Sequence, residues 1–285
     1  MQRLILTGDD FGQSEAINRA IRLAHQQGVL TSASLLVNGP AWEEAVAFAR
    51  EAPSLSVGLH LALVQSKATL PHQEIPGLVD PQGNFSDNPV AAGMRYYFKR
   101  SLQGQLEREI QTQIEKFLDT GLPLSYLDGH LNLHVHPRIF PIVRELLPRY
   151  GIQGFRLPRE PLWINLSLDR TRLPYKLLHW LIFRWLARNC LRVLRDQGIV
   201  FPHRVFGLLQ SGQMDEAYLA GLLKNLPPGT AEIYFHLSDG QPWLHAPTYR
   251  PQAELEALLS PRLAGLIRDQ GIQLSHYADL IGDRG

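Results

Sequence analysis

A chain of 285 residues with 45% hydrophobic content can bury roughly three quarters of its unfolded surface in one body. With 19% charged residues and a net charge of +1, it is neither a disordered polyelectrolyte nor a protein whose whole surface grips nucleic acid. The sum is uneven, however: residues 170–204 carry eight basic groups against the single acid Asp196, a local +7, and the rest of the chain holds −6.

Taken in chain order, short apolar runs alternate with amphipathic stretches. Leu4-Ile5-Leu6 predicts a strand that runs into a loop from Asp9 to Gly12. Ser14 is placed to cap a helix with Ile17, Ile21 and Ala24 on its inner face and Gly28 at its end. A strand is expected over Ala33 to Val37, a helix over Trp42 to Arg50, and a third strand from Leu55 to Leu63. Residues Pro71 to Pro89 are rich in Pro, Gly and Asn and predict a long loop, the kind that serves as a lid or binding segment.

Helical spacing returns from Leu102 to Leu118, with Leu106, Ile110, Ile114 and Phe117 inward. Leu124 to Leu127 reads as a strand ending in Asp128-Gly129-His130, Arg138 to Tyr150 as a helix, and Gly154 to Leu157 as a short strand closed by Pro158. Strands at Val205 to Leu209 and Ala231 to Leu237 flank a helix from Asp215 to Asn225, and one last helix, Gln252 to Gln270, precedes Ile272 to His276. Such alternation implies parallel strands with right-handed crossovers, hence an α/β fold of (β/α) barrel-like form and a single domain over 1–285.

The lone Cys190 rules out an internal disulfide and any zinc motif built on cysteine. Leu4-Ile5-Leu6 is too short for a signal-peptide core, and no stretch approaches the ~20 apolar residues of a spanning helix. A cytoplasmic protein is expected.

Several of these strands end in residues that do chemistry: Asp9 and Asp10, His60, His130, Arg156 and His236. The carboxyl edge of a parallel sheet is where active sites are built. Asp9-Asp10 before Gly12 also suits a plain Asx turn. Adjacent carboxylates raise one another's pKa, and a cation on one with a basic role for the other accounts for the pair better. His60, amid Leu59, Leu61 and Leu63, taken by itself suits a hydrogen-bonded core residue better than a ligand. The segment Asp128 to Pro137 holds three histidines in seven residues: His130 and His134 are spaced to share a helix face, His134 and His136 a strand face. Asp10 with two of these imidazoles would leave coordination positions open for water and substrate. His236 closes an apolar strand and is a candidate acid, and Arg156 suits a substrate carboxylate or an ion pair with Asp9 or Asp128. His25, His72, His179, His203, His245 and His276 lack such context and read as surface or packing residues.

Thr7-Gly8-Asp9-Asp10-Phe11-Gly12, Val57-Gly58-Leu59-His60-Leu61, Asp128-Gly129-His130 through His134, and the strand ending at His236 together resemble the YdjC-like carbohydrate deacetylases, most of all their hopanoid-biosynthesis-associated branch. The resemblance implies a barrel-like hydrolase that uses one divalent metal ion, zinc or magnesium, to remove acetyl groups from N-acetylated amino sugars. Carried over by position, it puts the metal on Asp10, His60 and His130, with Asp9 as general base and His236 as general acid. His134, Asp128 and Arg156 then fall beside these groups or against the substrate, and whether His130 or His134 is the second imidazole stays open. Many relatives have Pro-Gly after the last histidine, where this chain has Leu237-Ser238-Asp239.

The basic stretch belongs to an insert at about 160–204. Leu173 to Arg195 contains no acid, and on a helix Arg184, Arg188, Arg192 and Arg195 share one arc opposite Leu178, Ile182, Leu186 and Val193. With Trp163, Trp180, Phe183 and Trp185, residues 170–204 suit a peripheral contact with an anionic inner membrane, or a helix packed on the barrel with a solvated Arg face. No nucleic-acid recognition motif accompanies the charge. The expected substrate is a lipid-linked N-acetylglucosaminyl (hopanoid) sugar. Soluble chito-oligosaccharides and a non-catalytic membrane-binding module are the alternatives, and a homodimer is compatible with the sequence.

Overall fold

The computed structural model describes residues 2–243 and 246–283; His245 lies outside the described residues. Among the described residues, seven strands form one sheet: β1 (Gln2–Phe11), β2 (Ser32–Leu35), β3 (Ser56–Leu61), β4 (Leu127–Gly129), β5 (Arg204–Phe206), β6 (Gly229–Phe235) and β7 (Gln273–Leu274). The order is β4-β3-β2-β1-β6-β5, with the short β7 beside the start of β1, and every pairing is parallel. Past β4 the sheet continues only as single bridges, Leu127 to Phe155 and Gly154 to Val200. The expected strand over 154–157 stops there because Pro158 has no N–H to extend the ladder. The sheet is therefore curled like a barrel but open on this side.

The helices are α1 (Glu15–Gln26), α2 (Trp42–Glu51), α3 (Pro89–Phe98), α4 (Gln103–Asp119), α5 (Phe140–Arg149), α6 (Leu162–Leu168), α7 (Leu173–Asp196), α8 (Glu216–Lys224), α9 (Pro251–Leu259), α10 (Pro261–Asp269) and α11 (Tyr277–Gly282). Ser14 caps α1 by accepting from the Ile17 amide, and the inner faces read from sequence on α1 and α4 are buried. Each such side chain contributes about 1.5–3 kcal/mol on leaving water.

Four departures from the sequence reading matter. β1 runs ten residues, straight through the loop expected at Asp9 to Gly12, because β6 pairs with it as far as Gly8 and β2 as far as Phe11. The helix over 252–270 is two helices: Pro261 disfavours helical geometry at Ser260, which takes ψ 121° and caps α10 instead. Helix α3 was not expected; Pro89 opens its first turn and Asn88 caps it.

The fourth concerns α7. It is the helix expected, but its buried side chains are Lys176, Ala187, Cys190 and Leu194, while Leu178 and Ile182 are exposed. The second half packs on the core through Ala187, Cys190 and Leu194, flanked by Leu186, Leu191 and Val193, and Lys176 is held by Asp169 at 2.8 Å. In the first half Trp180 and Phe183 pack inward, while Leu177, Leu178, Leu181 and Ile182 are left in solvent.

Buried glutamates tie the long loops down. Glu109 of α4 accepts from the amides of Thr69 and Leu70, and Glu160 from those of Leu208 and Leu209, at 2.9 and 3.0 Å. Burial pushes the Glu160 carboxyl up to about 7 from an ordinary 4.5. A carboxyl raised on folding stabilises the protein fully below its unfolded pKa and loses that contribution as pH rises to the folded value. Chemical denaturation of wild type should thus show a stability decline between pH 4.5 and 7 that is shallower in Glu160→Gln. The amide mimics the neutral acid, and a turn of the Asn165 amide, whose Nδ2 now faces Glu160 Oε1 at 3.3 Å, lets its Oδ1, buried without a partner, accept from it. Equal slopes in the two proteins would refute a buried proton on Glu160.

Candidate metal centre and catalytic cleft

The strand ends bring Asp9 and Asp10 (β1), His60 (β3), Asp128 (β4) and His130 (just past β4) together at the carboxyl edge of the sheet. Asp10 sits at a register shift with φ 59°, a left-handed conformation that Asp tolerates better than most residues but that costs of order 1–3 kcal/mol. In a regular strand, neighbours point to opposite faces. The twist at Asp10 turns both carboxylates toward one cluster.

Asp10 Oδ1 lies 2.8 Å from His130 Nδ1 and 3.3 Å from His60 Nε2. The other nitrogen of His60, Nδ1, is 2.7 Å from Asp128 Oδ1, which fixes the ring and turns Nε2 toward Asp10. Ser34 donates to Asp128 Oδ2 at 2.7 Å. The Asp10, His60 and His130 donor atoms lie within 4.8 Å of one another. One carboxylate with two imidazoles is a donor set that fits a divalent ion.

Asp9, His60 and Asp128 also meet that distance, but their cation is already present. Arg156 grips Asp9 through two hydrogen bonds, at 2.7 and 2.8 Å. It also reaches Asp128 at 2.8 Å and Glu232 at 2.9 Å. Glu232 in turn accepts from Thr7 at 2.9 Å and from Tyr277 at 2.6 Å. One guanidinium thus faces three buried carboxylates, and Asp10 adds a fourth close by. This excess of negative charge in a water-poor site favours cations.

The titration shifts follow. Burial alone would raise Asp10, but His130 and His60 beside it hold it well below the carboxylate range. Asp128 is held down to about 2, its burial outweighed by Arg156 and His60. Burial would lower His60, yet Asp128, Asp10 and Asp9 hold it well above its ordinary value. Burial pushes Glu232 up despite Arg156.

His236 follows the end of β6 and faces the same cleft as Asp9 and His60, a cavity of about 700 Å³. Its Nδ1 is 3.5 Å from Ser211 Oγ, and Tyr249 and Trp243 pack edge-on against its ring. Its backbone amide donates to Glu254, a carboxyl that burial pushes up to about 8. Burial lowers the His236 pKa.

His134 is not brought to Asp10. Leu131 and Asn132 take φ 52° and 55° inside a 3-10 turn, so the spacing of four residues does not place His130 and His134 on one face. His134 is fully buried, its Nε2 2.8 Å from the Arg156 carbonyl and its ring against Phe155; burial lowers it to about 4. Arg156, 1% exposed, cannot meet a substrate carboxylate, and Asp128 is equally enclosed. All three buttress the cluster rather than line the cleft. Sequence reasoning passed over Glu232, Ser34 and Glu254. The available signal was Glu232 itself, an acid inside the apolar run Ala231 to Leu237.

Carboxylates and imidazoles gathered at the carboxyl edge of a curled parallel sheet, beside a deep cleft, define an α/β enzyme. A model of the YdjC-like protein family matches residues 3–269, and the chain belongs to that family. It is 37% identical over 280 residues to a carbohydrate deacetylase of Geobacillus stearothermophilus, covering 96% of both chains. Against a carbohydrate deacetylase of Brevibacillus brevis it is 31% identical over 285 residues, covering 98% of this chain and 99% of the other. A solved structure from Enterococcus faecalis V583, described provisionally as a cellobiose-phosphate cleavage protein, superposes with a TM-score of 0.75 at 24% identity over 98% of each chain. That likeness shares the fold.

Proposed function

We propose that this chain, acting as one catalytic domain with residues 160–204 as an insert, is a divalent-metal-dependent carbohydrate deacetylase that removes the N-acetyl group from a lipid-linked amino sugar. The observation that carries the chemistry is the Asp10–His60–His130 cluster beside an Asp9 held at both oxygens by Arg156. Asp10, His60 and His130 would hold the ion, which supplies Lewis acidity to polarise the acetyl carbonyl and ease deprotonation of an attacking water.

Asp9 accepts the proton of that water. Arg156 keeps Asp9 aimed through two hydrogen bonds, and Asp128 keeps the His60 ring turned so that Nε2 faces the centre. His236, on the same cleft, gives a proton to the departing amine. Burial lowers its pKa and leaves the resting ring neutral, so it must take up a proton in the course of the reaction before it passes one to the amine. The aromatic residues around His236 limit the water that would compete for it.

Two features favour a lipid on the sugar. Val90, Met94 and Phe98 of α3 and Ile182 and Trp185 of α7 are exposed yet line the cleft, so the way to the metal cluster passes between two apolar helix faces. Exposed apolar surface of this extent is uncommon on a monomer without a binding role. Among the described residues no helix is long and apolar enough to cross a membrane, so contact would be peripheral, through α3 and the basic residues of 170–204. The sugar we propose is an N-acetylglucosaminyl hopanoid, in line with the hopanoid-associated branch.

Acetate release from N-acetylglucosaminyl lipids and from soluble chito-oligosaccharides tests this directly. Release from the lipid at least tenfold faster is expected; release from the soluble sugars alone would overturn the lipid assignment, and none from either would overturn deacetylation.

A further inference from the structure

A second cavity, of about 460 Å³, lies on the other side of Phe183 and Leu208 from the catalytic cleft, since these two side chains line both. Arg159, Arg184, Arg188 and Arg204 line it together with Trp163 and Trp180. None of the four guanidiniums is paired with a carboxylate among the described residues. Arg204 donates to the His203 carbonyl, and Arg184 lies over the Trp180 ring at 5.1 Å from its centroid.

The one acid on this cavity, Glu160, is committed elsewhere: one oxygen accepts two backbone amides and the other faces Asn165. Four like charges that line one hollow repel each other. Burial and the neighbouring Arg204, Arg195 and Arg184 lower Arg159 accordingly. A bound anion would relieve that repulsion, and guanidinium forks match phosphate oxygens two at a time. Trp163 and Trp180 add a flat apolar wall beside the charge.

We propose that this cavity is a binding site for a phosphate or diphosphate ester, its anion held by Arg159, Arg184, Arg188 and Arg204 and its neighbouring apolar portion lying against Trp163 and Trp180. The site is separate from the metal cluster and does not depend on the chemistry proposed there. The charge partition of the sequence acquires a local purpose: Arg184, Arg188 and Arg204 of the basic stretch converge with Arg159 from outside it. Arg192, by contrast, projects into solvent near Asp196 at 3.7 Å and does not line the cavity.

Inorganic pyrophosphate titrated into the full chain by calorimetry should bind saturably. Binding should weaken at least tenfold in Arg188→Gln, an exposed position where folding is not at stake, and in Arg159→Gln. It should persist in Arg192→Gln and in Asp10→Asn, which disables the metal cluster and separates this site from it. Sedimentation with phosphatidylglycerol and phosphatidylcholine vesicles identifies the source of the anion. Uptake by phosphatidylglycerol alone, lost in Arg188→Gln and displaced by pyrophosphate, assigns a lipid headgroup; pyrophosphate binding without vesicle uptake assigns a soluble phosphoester. Absence of saturable binding in both arms, or binding undiminished in both Arg188→Gln and Arg159→Gln, or lost in Asp10→Asn, would overturn the proposal.

Discussion

Replacing Asp9 with Asn is expected to lower kcat by about 10²–10⁴-fold, the range of a lost general base, while one divalent ion per chain remains bound. The two effects separate because Asp9 and Asp10 are neighbours in sequence with different partners: Asp10 faces His60 and His130, whereas Asp9 faces Arg156. The asparagine side chain keeps the shape of the carboxylate but has no site for the proton of water. One of its ends is an amide N–H₂ that opposes a guanidinium N–H, so a fall in stability of about 1–3 kcal/mol is expected alongside. Metal analysis, steady-state kinetics and thermal unfolding on the same preparation distinguish the outcomes. Turnover close to wild type would exclude Asp9 as the base, and loss of the ion together with turnover would make Asp9 part of the metal site instead.

Replacing Arg156 with Met should have the largest effect on stability, about 3–5 kcal/mol, the cost of leaving buried charges without their partner. The guanidinium is 1% exposed and lies within 3 Å of Asp9, Asp128 and Glu232, so its loss leaves carboxylates from three strands without their cation. Arg156→Lys should recover only part of the loss, since one ammonium cannot reproduce the two-point grip on Asp9. Adding Glu232→Gln to Arg156→Met should restore some stability by removing one of the uncompensated carboxylates. Urea denaturation of the four proteins measures this, and a loss below 1 kcal/mol in Arg156→Met would mean that the carboxylates are already neutral.

Much of this site was legible before any coordinates. Asp9, Asp10, His60, His130 and His236 each interrupt or end an apolar run, and in a parallel sheet a polar residue at that point has only the carboxyl edge to go to. Glu232 shows as an acid in mid-strand, but its role was not legible, because the partners that make it tolerable, Arg156, Thr7 and Tyr277, come from three distant parts of the chain. The spacing argument failed at His134 because it assumed regular backbone. Two consecutive residues with positive φ redirect that segment, and the ring ends against the Arg156 carbonyl. The apolar face of α7 divides for a related reason: Leu186 and Val193 pack on the core, whereas Leu178 and Ile182 are exposed. Apolar periodicity predicts a buried stripe only where another element covers it, and among the described residues nothing covers Leu178 and Ile182.

The sequence by itself determined the class of fold and the kinds of side chain at the strand ends, since both depend on local alternation of apolar and polar residues. It also determined the separation of charge into a slightly acidic body and a basic stretch. Which histidine stands beside Asp10, what Arg156 holds, and where the arginines converge were decided only in the tertiary structure. Asp10 and His130 are 120 positions apart, and their approach to 2.8 Å depends on strand register, on the left-handed turn at Asp10 and on the break after His130. None of these leaves a periodic trace in the chain, because each is a relation between segments rather than a property of one.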